Sequence, residues 1–226
     1  MRVVAIIPAY NKGKALTESA ILDAVRFVDH VVMVDDGSTD DTVDIPSRDC
    51  ITVLRHILNR GQGAAIQTGT DFALQELGAD ILVHFDADGQ MRGDEIPMMV
   101  KPIVGGEADV VLGSRFLGVS AKDMPIIRKI LIRLGTLFTV ALSGIRVTDT
   151  HNGFRALSRH AAGVMRISID RMAHASEILD LIQAKRLRYT ERPVRISYSV
   201  ETLQKGQSTL KALLTAKDIL KKKIVG

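Results

Sequence analysis

Two aspartates, Asp86 and Asp88, stand one residue apart directly after the apolar run Ile81–Phe85. An Asp-x-Asp that leaves a buried strand places two carboxylates on one irregular turn. Such groups repel each other unless a cation or hydrogen bonds offset the cost. Hard divalent cations take oxygen ligands and usually share them with substrate phosphates, and there they neutralise a departing diphosphate. Aspartate is also a common turn and helix-cap residue, so spacing alone leaves metal binding and turn chemistry both open. A second acidic pair, Asp35-Asp36, follows the apolar run Val31–Val34 and weighs toward the cation.

Three further segments carry residue types suited to a ligand. Val3–Ile7 runs into Pro8-Ala9-Tyr10-Asn11. Asp36-Gly37-Ser38 suits a tight turn that presents a carboxylate to a base or ribose. Asn59-Arg60-Gly61-Gln62-Gly63-Ala64-Ala65 sets two glycines before a helical pattern, in the manner of a phosphate cradle. The dinucleotide pattern G-x-G-x-x-G and the phosphate loop G-x-x-x-x-G-K-[ST] are both absent, which counts against dehydrogenases and loop-type NTPases.

These residues need a scaffold that gathers distant parts of the chain. Val3–Ile7, Val31–Val34, Ile51–Leu54, Ile81–Phe85 and Val110–Leu112 read as strands, with helices over Thr17–Phe27, Gly63–Leu77 and Ile96–Val104. Continuous apolar strands are buried on both faces. The β-α-β alternation predicts an α/β fold with a mostly parallel central sheet flanked by helices. Ligands of such sheets bind beyond the carboxyl ends of the strands, so the polar motifs should converge on one edge.

Past residue 117 the pattern changes. Pro125–Leu142 carries Ile126, Ile127, Ile130, Leu131, Leu134, Leu137 and Phe138 with Arg128, Lys129 and Arg133. It reads either as a core helix or as one lying in a membrane interface. Gly153–Ala156 resembles a turn into another strand-helix region. The Val194/Ile196/Tyr198 alternation predicts a late strand within Arg186–Tyr198. Thr209–Val225 is amphipathic, with Leu210, Leu213, Leu214, Leu220 and Ile224 on one side. No linker divides the chain, so residues 1–226 read as one domain ending in a basic amphipathic helix at 205–226.

Composition narrows the classes. The 226 residues are 46% hydrophobic and 25% charged, an ordinary soluble balance. Aromatics are 4% with no Trp, so no base-stacking platform and no nucleic-acid partner is expected. The single cysteine, Cys50, excludes an intramolecular disulfide framework and Cys-cluster metal sites, and it fits a reducing cytoplasm. Net charge is +4, but residues 205–226 hold six lysines and only Asp218, which leaves the rest of the chain at −1. That tail is either a solvated helix end with lysines near its negative pole or a contact for a membrane surface or polyanion. The longest uncharged run, between Arg133 and Arg146, is twelve residues, against the ~20 a spanning helix needs. The expectation is a cytoplasmic protein that touches membranes peripherally and has no transmembrane helix.

Taken in order, Pro8–Asn11, Val34–Asp40, Asn59–Gly63, Asp86-Ala87-Asp88-Gly89-Gln90, Gly113-Ser114-Arg115 and Asp149-Thr150-His151-Asn152-Gly153-Phe154-Arg155 resemble family 2 glycosyltransferases of the GT-A fold. Within that family they are most similar to dolichyl-phosphate and polyprenyl-phosphate mannose or glucose synthases. The resemblance runs over roughly residues 3–200. It implies that Pro8, Tyr10, Val34 and Asp36 line the nucleotide pocket, with Asp36 reading the base. It implies that Asp86, Ala87, Asp88 and Gln90 face the diphosphate, and that Asp86, Asp88 and Gln90 hold Mg²⁺ or Mn²⁺. Arg115 would meet phosphate or sugar, and Arg128 a lipid phosphate. Asp149 would touch the sugar or act as base, although an acceptor phosphate is already a nucleophile at pH 7. Glu177 matches a family glutamate or is a helix-surface acid.

The sequence also departs from that family. Lys12 stands where a glutamate is usual, and Leu203–Thr209 lacks the Arg and final Lys of the usual Arg-x-x-Gly-x-Ser-Lys. The resemblance implies inverting, metal-dependent transfer of a hexose from a nucleoside diphosphate sugar, of GDP-mannose or UDP-glucose type, to a polyprenyl (dolichyl) phosphate. The alternatives are a polysaccharide, protein or small-molecule acceptor, or a non-catalytic nucleotide-sugar-binding protein. A sugar nucleotidyltransferase would want a Gly-x-Gly-[ST]-Arg loop where Pro8–Gly13 stands.

Overall fold

The computed structural model describes residues 1–45, 48–118, 136, 140, 144–150, 152–169 and 174–196. Its elements run β1 (Val3–Ala9), α1 (Lys14–Ala24), β2 (His30–Asp35), β3 (Ile51–Arg55), α2 (Gln62–Gln75), β4 (Ile81–His84), α3 (Ile96–Val104), β5 (Val110–Ser114), β6 (Arg155–Ser158), α4 (Arg159–Val164), α5 (His174–Ala184) and β7 (Tyr189–Pro193). Short 3-10 turns at Asp41–Val43 and Gly93–Glu95 interrupt the connections.

The seven strands form one sheet in the order β3-β2-β1-β4-β6-β5-β7. All neighbours are parallel except β6, which lies antiparallel between β4 and β5. The apolar runs explain this: β1, β2, β4 and β5 are buried along their whole described length apart from Val3. Alternate residues feed two cores. Ile7, Met33, Val83 and Val111 pack with Ala20, Ile21 and Met99 of α1 and α3. Ile6, Val32, Leu82 and Val110 pack with Ala65 and Ala73 of α2 and with Ile178, Leu179 and Ile182 of α5.

The late strand expected within Arg186–Tyr198 forms as β7, the last strand among the described residues, but it ends at Pro193, ahead of the Val194/Ile196/Tyr198 alternation. Val194 instead closes the core over Gly113, and Tyr198 lies outside the described residues. Glu177 is not a helix-surface acid: it is buried in α5, where Ser168 and Ile169 donate backbone N–H groups to it. The expected helix over Pro125–Leu142, including Arg128, lies outside the described residues except for Thr136 and Val140, both helical; so does the tail at 205–226.

Candidate active site

Because β1 to β5 are mutually parallel, the segments after Ala9, Asp35, Arg55, His84 and Ser114 leave the sheet along one edge. Each chemistry-bearing motif lies on one of these connections or on the loop entering β6. Pro8 and Val34 are register partners across β1 and β2. Pro8 is buried and Tyr10, just past the strand, is exposed. Val34 does not line an open surface: its side chain is in the core beneath Gly69 of α2, so only its backbone reaches the edge.

Asp36 is buried and fully engaged. Its Oδ1 accepts from His56 Nδ1 at 2.7 Å and from the Arg60 N–H at 3.0 Å, and its Oδ2 accepts from the Gly61 N–H at 2.6 Å. His56 reaches Thr68 Oγ1 through its other ring nitrogen, at 2.9 Å. The carboxylate therefore accepts two N–H groups immediately ahead of α2, on the side where the helix dipole favours negative charge. The stretch expected as a phosphate cradle already spends the N–H groups of Arg60 and Gly61 on Asp36. Gly37, at φ 75°, makes this possible: a Cβ there would stand 3.0 Å from the Leu58 carbonyl carbon and the Asn59 nitrogen. Asp35, fully buried, accepts from Ser38 N–H at 3.1 Å and pairs with Arg55 at 3.2 Å.

Asp86 is half-buried after β4, with Gln62 Nε2 donating to its Oδ1 at 2.8 Å. Burial first, then the like charge of Asp88, pushes its carboxyl up to about 6, while Arg155 and Lys12 pull the other way. Lys12, in place of the glutamate usual in the related motif, thus brings a positive charge to this carboxylate. Gly153 lies against it so closely that a Cβ would sit 2.5 Å from Oδ2. Asp88 accepts from the Gln90 N–H at 3.1 Å, and Ala87 is buried between the two acids.

Asp86 and Asp88 offer two oxygen-donor carboxylates whose like charges repel, the kind of donor that a hard divalent ion takes. Among the described residues no group of three or more His, Cys, Asp or Glu side chains could hold a metal ion. The remaining ligands of such an ion would come from substrate oxygens and water.

Arg115 and Asp149 are brought together as a buried pair, with Nε and Nη2 each 2.7 Å from a carboxylate oxygen and the Arg115 N–H 3.1 Å from Oδ2. The loop carrying Asp149 is tied down by Glu191, which accepts from the Thr148 N–H at 2.9 Å and from Thr148 Oγ1 at 2.9 Å.

Sequence reasoning gave no role to Arg155, the last residue of the Gly-Phe-Arg motif. It is buried opposite His84 in the β4–β6 ladder, and its Nη1 has no hydrogen-bond partner. Burial lowers its guanidinium to about 10, against the pull of Asp86 and Asp149, so it stays charged at neutral pH. Among the described residues, the buried side-chain nitrogen and oxygen atoms without a hydrogen-bond partner are His84 Nδ1, Asn152 Nδ2 and Arg155 Nη1. Two of these always donate, and His84 is held neutral by burial and the nearby Arg155 charge, its value lowered to about 3.

The model of glycosyl transferase family 2 matches residues 4–163. The chain is 32% identical to a UDP-N-acetylglucosamine–dolichyl-phosphate N-acetylglucosaminyltransferase of Methanococcus voltae, covering 91% of this chain and 89% of that protein. It is 36% identical to an undecaprenyl-phosphate mannosyltransferase of Micrococcus luteus, covering 69% and 66%. Among solved structures, glucosyl-3-phosphoglycerate synthase from Mycobacterium tuberculosis, in complex with Mn²⁺ and UDP-glucose, superposes with a TM-score of 0.67 at 18% identity, covering 97% of this chain and 76% of that one. At that identity the likeness is one of fold, the GT-A fold expected from the motifs.

Proposed function

The chain belongs to glycosyltransferase family 2, and on that premise we propose that it transfers a hexose from a nucleoside diphosphate sugar, of GDP-mannose or UDP-glucose type, to a polyprenyl phosphate with inversion. The observation that carries the acceptor is the similarity, over 91% of this chain and 89% of the relative, to an enzyme named for transfer to dolichyl phosphate.

Asp86, Asp88 and Gln90 would hold Mg²⁺ or Mn²⁺, and such an ion supplies charge neutralisation to the departing diphosphate. Pro8, Tyr10 and the Asp36-clamped loop 56–61 form the nucleotide end. Asp36 acts there through His56, Arg60 and Gly61, which it holds in place. Arg115, oriented by Asp149, and Arg128 would meet the acceptor phosphate, for which a guanidinium's charge and N–H donors are suited. An acceptor phosphate is an oxyanion at neutral pH, so no base is required. Asp149 accordingly serves by fixing Arg115. Attack on the sugar carbon from the face opposite the diphosphate gives inversion, and positioning is the main requirement on the protein. The test is incubation with labelled nucleotide sugars and a polyprenyl phosphate, followed by organic extraction; label in the lipid phase supports the reading.

A further inference from the structure

The segment that delivers Asp149 to the site is held from the side by β7. Tyr189 and Glu191 stand two residues apart on that strand, so their side chains leave the same face. Tyr189 Oη accepts from the Arg146 N–H at 3.2 Å and donates to the Arg146 carbonyl at 3.3 Å. Glu191 takes the Thr148 N–H between its two carboxylate oxygens, at 2.9 and 3.0 Å. Residues 146–148 lie outside any strand, yet both side chains hold their backbone against β7.

The side chains carry this contact into the site. Thr148 Oγ1 donates to Glu191 Oε1 at 2.9 Å, since a carboxylate only accepts. That hydroxyl has a single proton, so the 2.6 Å bond between Thr148 Oγ1 and Ser114 Oγ must carry the serine's proton. Ser114 Oγ in turn accepts from the Phe116 N–H at 3.1 Å. The chain thus has one direction: Phe116 N–H, Ser114 hydroxyl, Thr148 hydroxyl, Glu191 carboxylate. Its acidic terminus fixes the sense of every member, and bonds in such a chain polarise and strengthen one another.

Arg115 lies between Ser114 and Phe116, and Asp149 follows Thr148. The chain therefore brackets the Arg115–Asp149 pair through the backbone of both partners. Glu191 is half-buried, and burial pushes its carboxyl up, with the like charge of Asp149 adding in the same direction and the Thr148 donors opposing. A neutral glutamine would escape that repulsion, but it has one acceptor oxygen in place of two.

We propose that Glu191 is a positioning residue for transfer: through Thr148 and Ser114 it orients the hydrogen-bond chain that holds Arg115, on its Asp149 partner, toward the acceptor phosphate. The inference deepens the polyprenyl-phosphate reading and rests on it for the identity of the acceptor.

The test compares the full chain with its Glu191→Ala, Glu191→Gln and Thr148→Val variants. In transfer to a polyprenyl phosphate, Glu191→Ala should raise the acceptor KM at least about tenfold, the scale of one lost hydrogen bond to a charged group. Donor KM and affinity for free nucleoside diphosphate should stay near the parent values. Glu191→Gln should recover much of the loss, because its carbonyl oxygen still accepts from Thr148. Glu191→Ala and Thr148→Val should combine with clear non-additivity. Exchange of the Arg115 Nε–H, followed by NMR, reads the positioning without any acceptor and should quicken at least about tenfold in Glu191→Ala. Parent acceptor KM or parent Arg115 exchange in Glu191→Ala overturns the inference. So does a nucleotide affinity that falls in step with acceptor affinity, which marks general damage to the fold, and so does a Glu191→Gln variant no better than Glu191→Ala. If Arg115 exchange quickens as expected but the parent glycosylates no polyprenyl phosphate, the acceptor reading fails and the positioning role stands.

Discussion

Arg115 closes on Asp149 through two near-parallel hydrogen bonds, Nε to Oδ2 and Nη2 to Oδ1, both 2.7 Å, with the carboxylate wholly buried. Both oxygens of the carboxylate are engaged by the guanidinium. What the geometry does provide is an arginine with a fixed orientation at the end of β5.

Breaking that pair from one side should be costly. Asp149→Asn leaves a buried guanidinium without its counter-charge, and losses of about 3–5 kcal/mol are typical. Chemical denaturation should show this, and the double change Asp149→Asn/Arg115→Gln should cost clearly less than the two single losses added together. Strict additivity would mean that the two side chains act independently.

Asp86 makes stability depend on pH in a defined direction. Its carboxyl is raised from 3.8 to about 6, chiefly by burial. Between those values the folded protein binds more protons than the unfolded chain, so metal-free stability should fall as pH rises through that window. Asp86→Asn should flatten this dependence and stabilise the metal-free protein at pH 7 by about 1–3 kcal/mol. Thermal melts from pH 4 to pH 7 decide it.

The same pair sets the metal dependence. Asp88→Ala should leave the melting temperature within a few degrees of the parent and abolish the Mn²⁺-dependent part of nucleotide diphosphate binding in calorimetry. Parent affinity that does not change on adding EDTA would remove the metal from the account.

Much of this was legible in the residues. The runs Val3–Ile7, Val31–Val34 and Ile81–Phe85 are apolar on both faces, and Ile96–Val104 forms a helix over the expected span. The sequence could not reveal that β6 runs antiparallel, because Arg155–Ser158 is only four residues long and its direction depends on partners far along the chain. The late alternation at Val194 misled because alternating burial also arises where an irregular segment lies over a core. In the site, residue types pointed to the right edge but not to their partners. Nothing local to Asp36 shows that His56, Arg60 and Gly61 are its donors.

Asp36→Asn should therefore act through the loop. Weakened acceptance from Arg60, Gly61 and His56 should loosen residues 56–61, speed their hydrogen exchange, and weaken the free nucleoside diphosphate as much as the full donor. His56→Ala should reproduce part of both effects. An Asp36→Asn protein with unchanged exchange in the loop but lost nucleotide binding would instead mark a direct contact to the base.

Arg155 offers a contrast between stability and activity. Its burial disfavours the charge, so Arg155→Met should be neutral or stabilising by up to about 2 kcal/mol. Transfer should nonetheless fall at least about tenfold, because the buried cation that acts on both Asp86 and Asp149 is lost. Wild-type turnover in this variant would show that the buried charge has no part in the reaction.

The central claim is most directly tested by transfer itself. Purified protein with Mn²⁺, a polyprenyl phosphate and each of a set of radiolabelled GDP- and UDP-sugars should move label from one donor into the organic phase, as an acid-labile product with inverted anomeric configuration. Asp88→Ala should abolish this. Label that stays in water with every donor, or that appears only on a soluble acceptor, would contradict the account.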